Sequence, residues 1–228
     1  MITINVLLRV FQLKIGDSTG TCFTIDHNGR QYIITAKHVV SSLPENKEHV
    51  VEIWHDKRWK KLEVIKLTAH HNDNIDIAVL VAKIAFQAYK LQPSIDGIIY
   101  AQDVYFLGFP YGLKSDNIDH KINRGFPFPL VKKGILSAIE SDDSGIFFID
   151  GHNNPGFSGG PVIFTDMRSN ELKVCGVISA FRFEWNSIYA KQQKLPFEYK
   201  DNTGITIAYR IDKALEIIKK NPIGAILE

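Results

Sequence analysis

The chain has 228 residues, 45% of them hydrophobic, and its 27 Lys+Arg nearly balance 25 Asp+Glu for a formal charge of +2. That length suits one domain or two small packed lobes around a substantial core. The charge balance excludes nucleic acid and a membrane surface as main partners, and no run of about 18 apolar residues provides a membrane span.

Short apolar runs separated by turn residues follow one another along the chain, which is the pattern of an all-β protein. The apolar N-terminus, residues 1–12, lacks a basic leader and a small-residue cleavage site, so it reads as a strand and not a signal peptide. First-half strands are expected at 6–15, 20–26, 31–35, 50–54, 59–68 and 77–81, with Asn28-Gly29 supplying the positive φ of a hairpin. A single helical turn over 36–40 presents His38, and Asp76 stands at the mouth of the run 77–81. The basic cluster Lys57-Arg58-Trp59-Lys60-Lys61 reads as a solvated hairpin. Residues from about Phe86 to Tyr100 form the crossing segment.

Second-half strands are expected at 103–108, 130–140, 145–149, 161–164, 172–181 and 204–209. A helix follows over about 211–220, with Ala214, Leu215, Ile217 and Ile218 on one stripe and Asp212 in the first turn; Asn221-Pro222 ends it. Six strands in each half predict two six-stranded antiparallel β-barrels packed side by side. The first spans about 1–90 and the second about 100–210, within one domain of 1–228. Residues 111–129 and 186–203 read as long loops, functional or solvated insertions.

The segment Asn154-Pro155-Gly156-Phe157-Ser158-Gly159-Gly160-Pro161-Val162 carries the most chemistry. Its glycines let the backbone double back and aim several N–H groups at one spot beside a serine. Alone it is weak evidence, because a hairpin turn also accounts for it. With His38 and Asp76 upstream, the chain supplies a nucleophile, a base and an orienting acid in the order His, Asp, Ser. Asp73 is a rival acid, but Asp76 adjoins the apolar run. The pairs Asp142-Asp143 and Asp116/Asp119 have no histidine or cysteine at metal-ligand spacing. Adjacent His70 and His71 would point to opposite sides of a strand, so neither metal nor cofactor is expected. The only cysteines, Cys22 and Cys175, read as buried thiols of a reducing compartment, which predicts a cytoplasmic protein.

With these residues assembled, the chain resembles a trypsin-like serine peptidase of the chymotrypsin fold, closest to the protease domain of the HtrA-type branch. Gly20-Thr21-Cys22-Phe23 is similar to that branch's Gly-Ser-Gly-Phe, and Thr35-Ala36-Lys37-His38-Val39 to Thr-Ala-x-His-Val. Asp76-Ile77-Ala78-Val79-Leu80 is similar to Asp-Leu-Ala-Val-Leu, and Leu107-Gly108-Phe109-Pro110-Tyr111-Gly112 to Leu-Gly-x-Pro-x-Gly. Gly134-Ile135-Leu136-Ser137-Ala138 and Gly156-Phe157-Ser158-Gly159-Gly160-Pro161 match two further motifs of the branch. With Glu228 as its last residue, the chain is expected to lack a PDZ-like module, and no cleavable activation segment implies a zymogen step.

The resemblance implies an endopeptidase working through an acyl-enzyme. Ser158 would be the nucleophile, His38 the general base and acid, and Asp76 the group that orients it. The backbone N–H groups of Gly156 and Ser158 would form the oxyanion hole. Ser179, Ala180, Phe181 and His152 would contact substrate, within pocket walls drawn from 178–181, 203–206 and 152–154. No aspartate sits at the expected pocket base, which argues against preference for Lys or Arg; Phe181 favours smaller apolar side chains, whereas His152 would read a polar or acidic one. The implied partner is a protein or peptide substrate, with room for a regulatory protein. The competing reading is a catalytically silent or partner-gated binding module on the same fold.

Overall fold

The computed structural model describes residues 1–86, 91–140 and 142–227. Six strands build the first barrel: β1 (Val10–Ile15), β2 (Ser18–His27), β3 (Arg30–Thr35), β4 (Glu48–His55), β5 (Arg58–Lys66) and β6 (Ala78–Ala82). They run in the order β3-β2-β1-β4-β5-β6, and β6 pairs back onto β3 to close the ring. The Asn28-Gly29 hairpin forms as expected, with φ of 51° and 73°. The basic cluster lies on the β4–β5 hairpin, turned by Asp56 and Lys57 at positive φ.

Residues 4–7 depart from the expected strand and form a helical turn, α1 (Ile4–Leu7). Pairing of β1 with β2 starts only at Val10 opposite Phe23. Before it only the Arg9 carbonyl reaches β2, accepting Thr24 N–H at 3.0 Å, and the backbone of 3–7 closes locally, Thr3 accepting the N–H groups of Val6 and Leu7.

A short strand, β7 (Gln92–Pro93), lies in the crossing segment, of which residues 87–90 fall outside the described residues. The second barrel comprises β8 (Asp103–Gly108), β9 (Leu130–Ile139), β10 (Ile146–Asp150), β11 (Pro161–Asp166), β12 (Glu171–Ala190) and β13 (Gln193–Arg210). Its order is β11-β8-β9-β10-β13-β12, closed by β11 on β12, with β7 added in parallel to β12.

Residues 186–203, expected as a loop, are instead the outer half of the β12–β13 hairpin, which turns at Lys191 and Gln192. The sequence from Phe183 to Asn186 alternates aromatic and polar residues, the period of two of an extended strand, before Ser187 and Ile188 break it. Residues 111–129 contain a helical turn, α2 (His120–Asn123), and an isolated bridge from Ser115 to Phe128. This segment docks on the β4–β5 hairpin: Asp56 N–H donates to Gly125 O at 2.8 Å, and Trp54 Nε1–H to Asp116 Oδ1 at 3.0 Å.

The C-terminal helix, α3 (Asp212–Lys220), forms where expected. Its stripe of Ala214, Ile217 and Ile218 joins Phe23, Ile34 and Ile77 of the first barrel and Ile163 and Val177 of the second in one core. Chain direction then returns to the first barrel, where β14 (Ala225–Ile226) pairs with the outer edge of β3. Among the described residues, no helix is long and apolar enough to cross a membrane. Cys22 and Cys175 are free and buried; burial pushes the Cys22 thiol up to about 12, and Cys175 higher still, so neither is a ready thiolate.

Candidate active site

The two barrels contribute different parts of one candidate site, joined through Ser179. In the first, β3 ends at Thr35 and a 3-10 turn over Lys37–Val40 presents His38, whose side chain is half exposed. The loop entering β6 brings Asp76 to meet it. Asp76 grips His38 twice: Oδ2 lies 2.6 Å from Nδ1, and Oδ1 accepts the His38 backbone N–H at 2.8 Å. Ser179 on β12 donates its hydroxyl to the same Oδ2 at 2.5 Å. Burial pulls the Asp76 carboxyl upward, but the His38 and Ser179 hydrogen bonds outweigh it and hold its pKa below the usual carboxylate range. Asp73, the rival acid, points to solvent and pairs with Lys37 at 3.3 Å.

The second barrel supplies Ser158 from the turn before β11. Its hydroxyl donates to the Ser179 carbonyl at 3.1 Å, and among the described residues no hydrogen bond joins it to His38. The turn is packed so tightly that glycine is required: Gly156 sits at φ 104°, and a Cβ there would meet Phe109 O at 2.4 Å. Three contacts fix the direction of its peptides. Pro155 O accepts Tyr111 N–H at 2.9 Å, Gly156 O accepts the Thr21 hydroxyl at 2.7 Å, and Phe157 O accepts Gly160 N–H at 2.8 Å. In a trans peptide, N–H points opposite to its C=O. The Gly156 and Ser158 N–H groups are therefore directed away from these partners, and among the described residues neither meets an acceptor. Two N–H groups two residues apart, without an acceptor among the described residues, are thereby left available beside the Ser158 hydroxyl.

The expected pocket walls come together. Asn153 Nδ2 donates to Ala180 O at 3.1 Å, Asn202 Nδ2 to Asn153 O at 2.7 Å, and Thr206 Oγ1 to Gly151 O at 2.5 Å. His152 is exposed, with Asn202 Nδ2 at 3.5 Å from its Nε2. Phe181 is half-buried, and Phe157 is fully buried under the turn.

Sequence reasoning passed over Ser179 as a partner of Asp76, Thr21 as the anchor of Gly156, and Lys132. Lys132 Nζ bonds His152 O at 2.5 Å and Asn154 Oδ1 at 2.6 Å, and lies 5.4 Å from the centre of the Phe157 ring. Burial lowers its ammonium pKa. Nothing in its local sequence marks it, because the contact crosses from β9 to the serine turn.

His70 and His71 correct the reading that placed them on opposite faces of a strand. They lie in the loop before Asp76 with rings 4.1 Å apart, and with Glu216 of α3 their ligand atoms gather within 4.8 Å. The hydrogen bonds of His70 nevertheless oppose metal ligation. Its Nδ1 accepts Asn72 N–H at 3.1 Å, so the neutral ring carries its proton on Nε2, which faces Glu216 Oε2 at 2.7 Å. A metal on Nε2 would force a proton onto Nδ1, against that N–H. Glu216 is also already paired with Lys213 at 3.1 Å.

A family model described as a trypsin-like peptidase domain matches residues 20–172. This chain belongs to that family. The peptidase domain is similar in fold to the HtrA-type protease AlgW with tripeptide, at 19% identity and a TM-score of 0.60, over 95% of this chain. It is also similar to the Rv3671c protease of M. tuberculosis in an inactive form, at 17% identity and a TM-score of 0.55, over 94% of this chain and 89% of that one. The peptidase domain spans 60% of the AlgW chain. Comparison with curated proteins gives no match.

Proposed function

We propose that this domain is a serine endopeptidase with Ser158 as nucleophile, His38 as general base and acid, and Asp76 as the orienting carboxylate. The observation that carries this reading is the double grip of Asp76 on His38, with Ser179 bonding both Asp76 through its hydroxyl and Ser158 through its carbonyl. A lone serine is too weak an acid to ionise at neutral pH, so the His38 ring must receive its proton as Oγ attacks the scissile carbonyl. Asp76 fixes the Nδ1–H tautomer, leaving Nε2 free to accept, and stabilises the imidazolium that forms. The carbonyl oxygen, now negative, is held by the Gly156 and Ser158 N–H groups. Collapse breaks the C–N bond, the imidazolium protonates the departing amine, and water repeats the sequence to release the acyl group.

The bond from Ser158 to the Ser179 carbonyl favours a second reading, a domain gated by a substrate or partner. In it, the hydroxyl rotates toward His38 only when another strand occupies the cleft. Labelling of the purified protein by a fluorophosphonate probe, beside Ser158→Ala, separates the two. An adduct on Ser158 that is absent in the variant supports the peptidase as it stands. No adduct in the folded protein, restored by adding an unfolded polypeptide, supports gating, and no adduct under either condition sinks the catalytic reading.

A further inference from the structure

Beyond Ser179 the strand β12 leaves the barrel. From Glu171 to Val177 it pairs with β11 on one side, and on the other with β7 at Lys173–Val174 and β13 from Gly176, but from Ala180 to Ala190 its only strand neighbour among the described residues is β13. The nine residues after Phe181 extend this two-stranded arm by about 30 Å. One long edge of β12 therefore runs unpaired from the nucleophile outward, beginning at the Ser179 carbonyl 3.1 Å from Ser158 Oγ.

The two edges of the arm are built differently. Natural sheets guard exposed edges with proline and charge. The β13 strand carries Pro196 and four charges, Lys194, Glu198, Lys200 and Asp201, beside the exposed Phe197 and Tyr199, whereas this part of β12 carries two, Arg182 and Glu184. The β12 edge has no proline, and offers Phe183, Trp185 and Tyr189, which are 44%, 61% and 65% exposed. Phe183 and Trp185 meet edge to face at 6.4 Å, so they share one side of the arm. Charges over residues 182–202 are four cationic and three anionic, which gives no field to attract a polyanion. What the edge offers is backbone N–H and C=O groups flanked by aromatic rings, the chemistry of strand addition by a polypeptide.

We infer that the free edge of β12 from Phe181 to Ala190 is an extended binding surface for the substrate chain on the N-terminal side of the scissile bond. This rests on the peptidase reading above and on the substrate contacts expected at Ser179 and Phe181. A substrate strand antiparallel to β12 continues without a break along the arm, its apolar side chains against Phe183 and Trp185. The domain thereby selects long, unfolded segments over short peptides. A second copy of the chain is a poorer occupant, because pairing continuous with Ser179 would cover Ser158.

The test uses hydrogen exchange on the full Ser158→Ala chain, with reduced, carboxymethylated casein as the probe. Casein is expected to slow exchange of amides from Phe181 through Tyr189 about tenfold. The exposed double variant Phe183→Ser/Trp185→Ser, made in the same background, is expected to lose that protection, keep protection near Ser179, and bind casein about tenfold more weakly. Protection confined to 179–181, or none anywhere, overturns the inference. So does arm protection that rises with protein concentration in the absence of casein, which would mark a second copy. Hydrolysis of casein by the unmodified chain is followed in parallel: cleavage without arm protection overturns only this inference, whereas arm protection without cleavage overturns the peptidase reading.

Discussion

The Thr21 hydroxyl donates to the Gly156 carbonyl at 2.7 Å and accepts the Phe109 N–H at 3.1 Å, so one buried side chain of the first barrel holds two loops of the second. Its backbone N–H adds a third tie, to Ser158 O at 2.9 Å. Thr21→Val keeps the shape and removes the hydroxyl, leaving a buried donor and a buried acceptor unmatched. Stability should fall by about 1–3 kcal/mol in denaturant melts. Fluorophosphonate labelling of Ser158 should slow roughly tenfold to a hundredfold as the anion-receiving N–H groups lose their aim. Thr21→Ser should restore both, and a labelling rate unchanged in Thr21→Val would remove Thr21 from the account.

At Gly156 a methyl group would press on Phe109 O at 2.4 Å and Pro110 Cα at 2.9 Å, both backbone atoms that cannot swing aside. Gly156→Ala is expected to cost about 10²–10³ in kcat. Gly29→Ala provides the control: it has a similar positive φ of 73° but open space around it, so peptide hydrolysis should continue at the parental rate. Equal effects at the two sites would mean that backbone strain, and not the oxyanion turn, governs activity.

Asp76→Asn preserves size but presents an N–H donor or a weaker acceptor to Nδ1, which favours the wrong imidazole tautomer. A loss of roughly 10⁴-fold in kcat with modest change in KM is expected from steady-state peptide hydrolysis. Asp73→Asn should leave kcat within about twofold, because that carboxylate faces solvent beside Lys37. A large effect at Asp73 would reverse the assignment.

Asp166 closes the β11–β12 hairpin of the second barrel, bonded by Lys173 at 2.5 Å and by Arg168 N–H at 3.0 Å. Those bonds hold its carboxyl far below the usual range. The carboxylate state is therefore stabilised by folding. Its contribution is complete above about pH 5, begins to fade near the unfolded value of about 3.9, and is lost as pH falls through the depressed native value. Asp166→Asn should be less stable than the parent at pH 7, with the gap between their melting temperatures narrowing steadily below pH 4. A gap that is independent of pH would show that packing, and not charge, is lost.

Most of the barrel framework is legible in the sequence because each strand announces itself by an apolar run and a turn. His38, Asp76 and Ser158 are legible because each sits at the border of such a run, where a side chain is held yet accessible. What escapes is set by pairing between distant strands. Thr21 looks like any strand threonine until Gly156, 135 residues away, is placed beside it. Residues 186–203 read as a loop because their charged and polar residues imply no buried face, and only the register of Asn186 with Tyr199 and its neighbours reveals two strands. His70 and His71 follow the same rule: without the strand assumed for them, their rings stack and α3 supplies Glu216.

Strand β3, which leads into His38, receives its outer neighbour from Ala225 and Ile226, and Arg30 bonds the Gly224 carbonyl at 2.8 Å. During synthesis the first barrel emerges early, but this last pairing waits until nearly two hundred further residues have been made. The turn bearing Ser158 has also been made by then, so the strand leading into His38 gains its outer neighbour only once both parts of the candidate site exist. The edge of the strand that leads into His38 is thus covered only after both barrels have been synthesised.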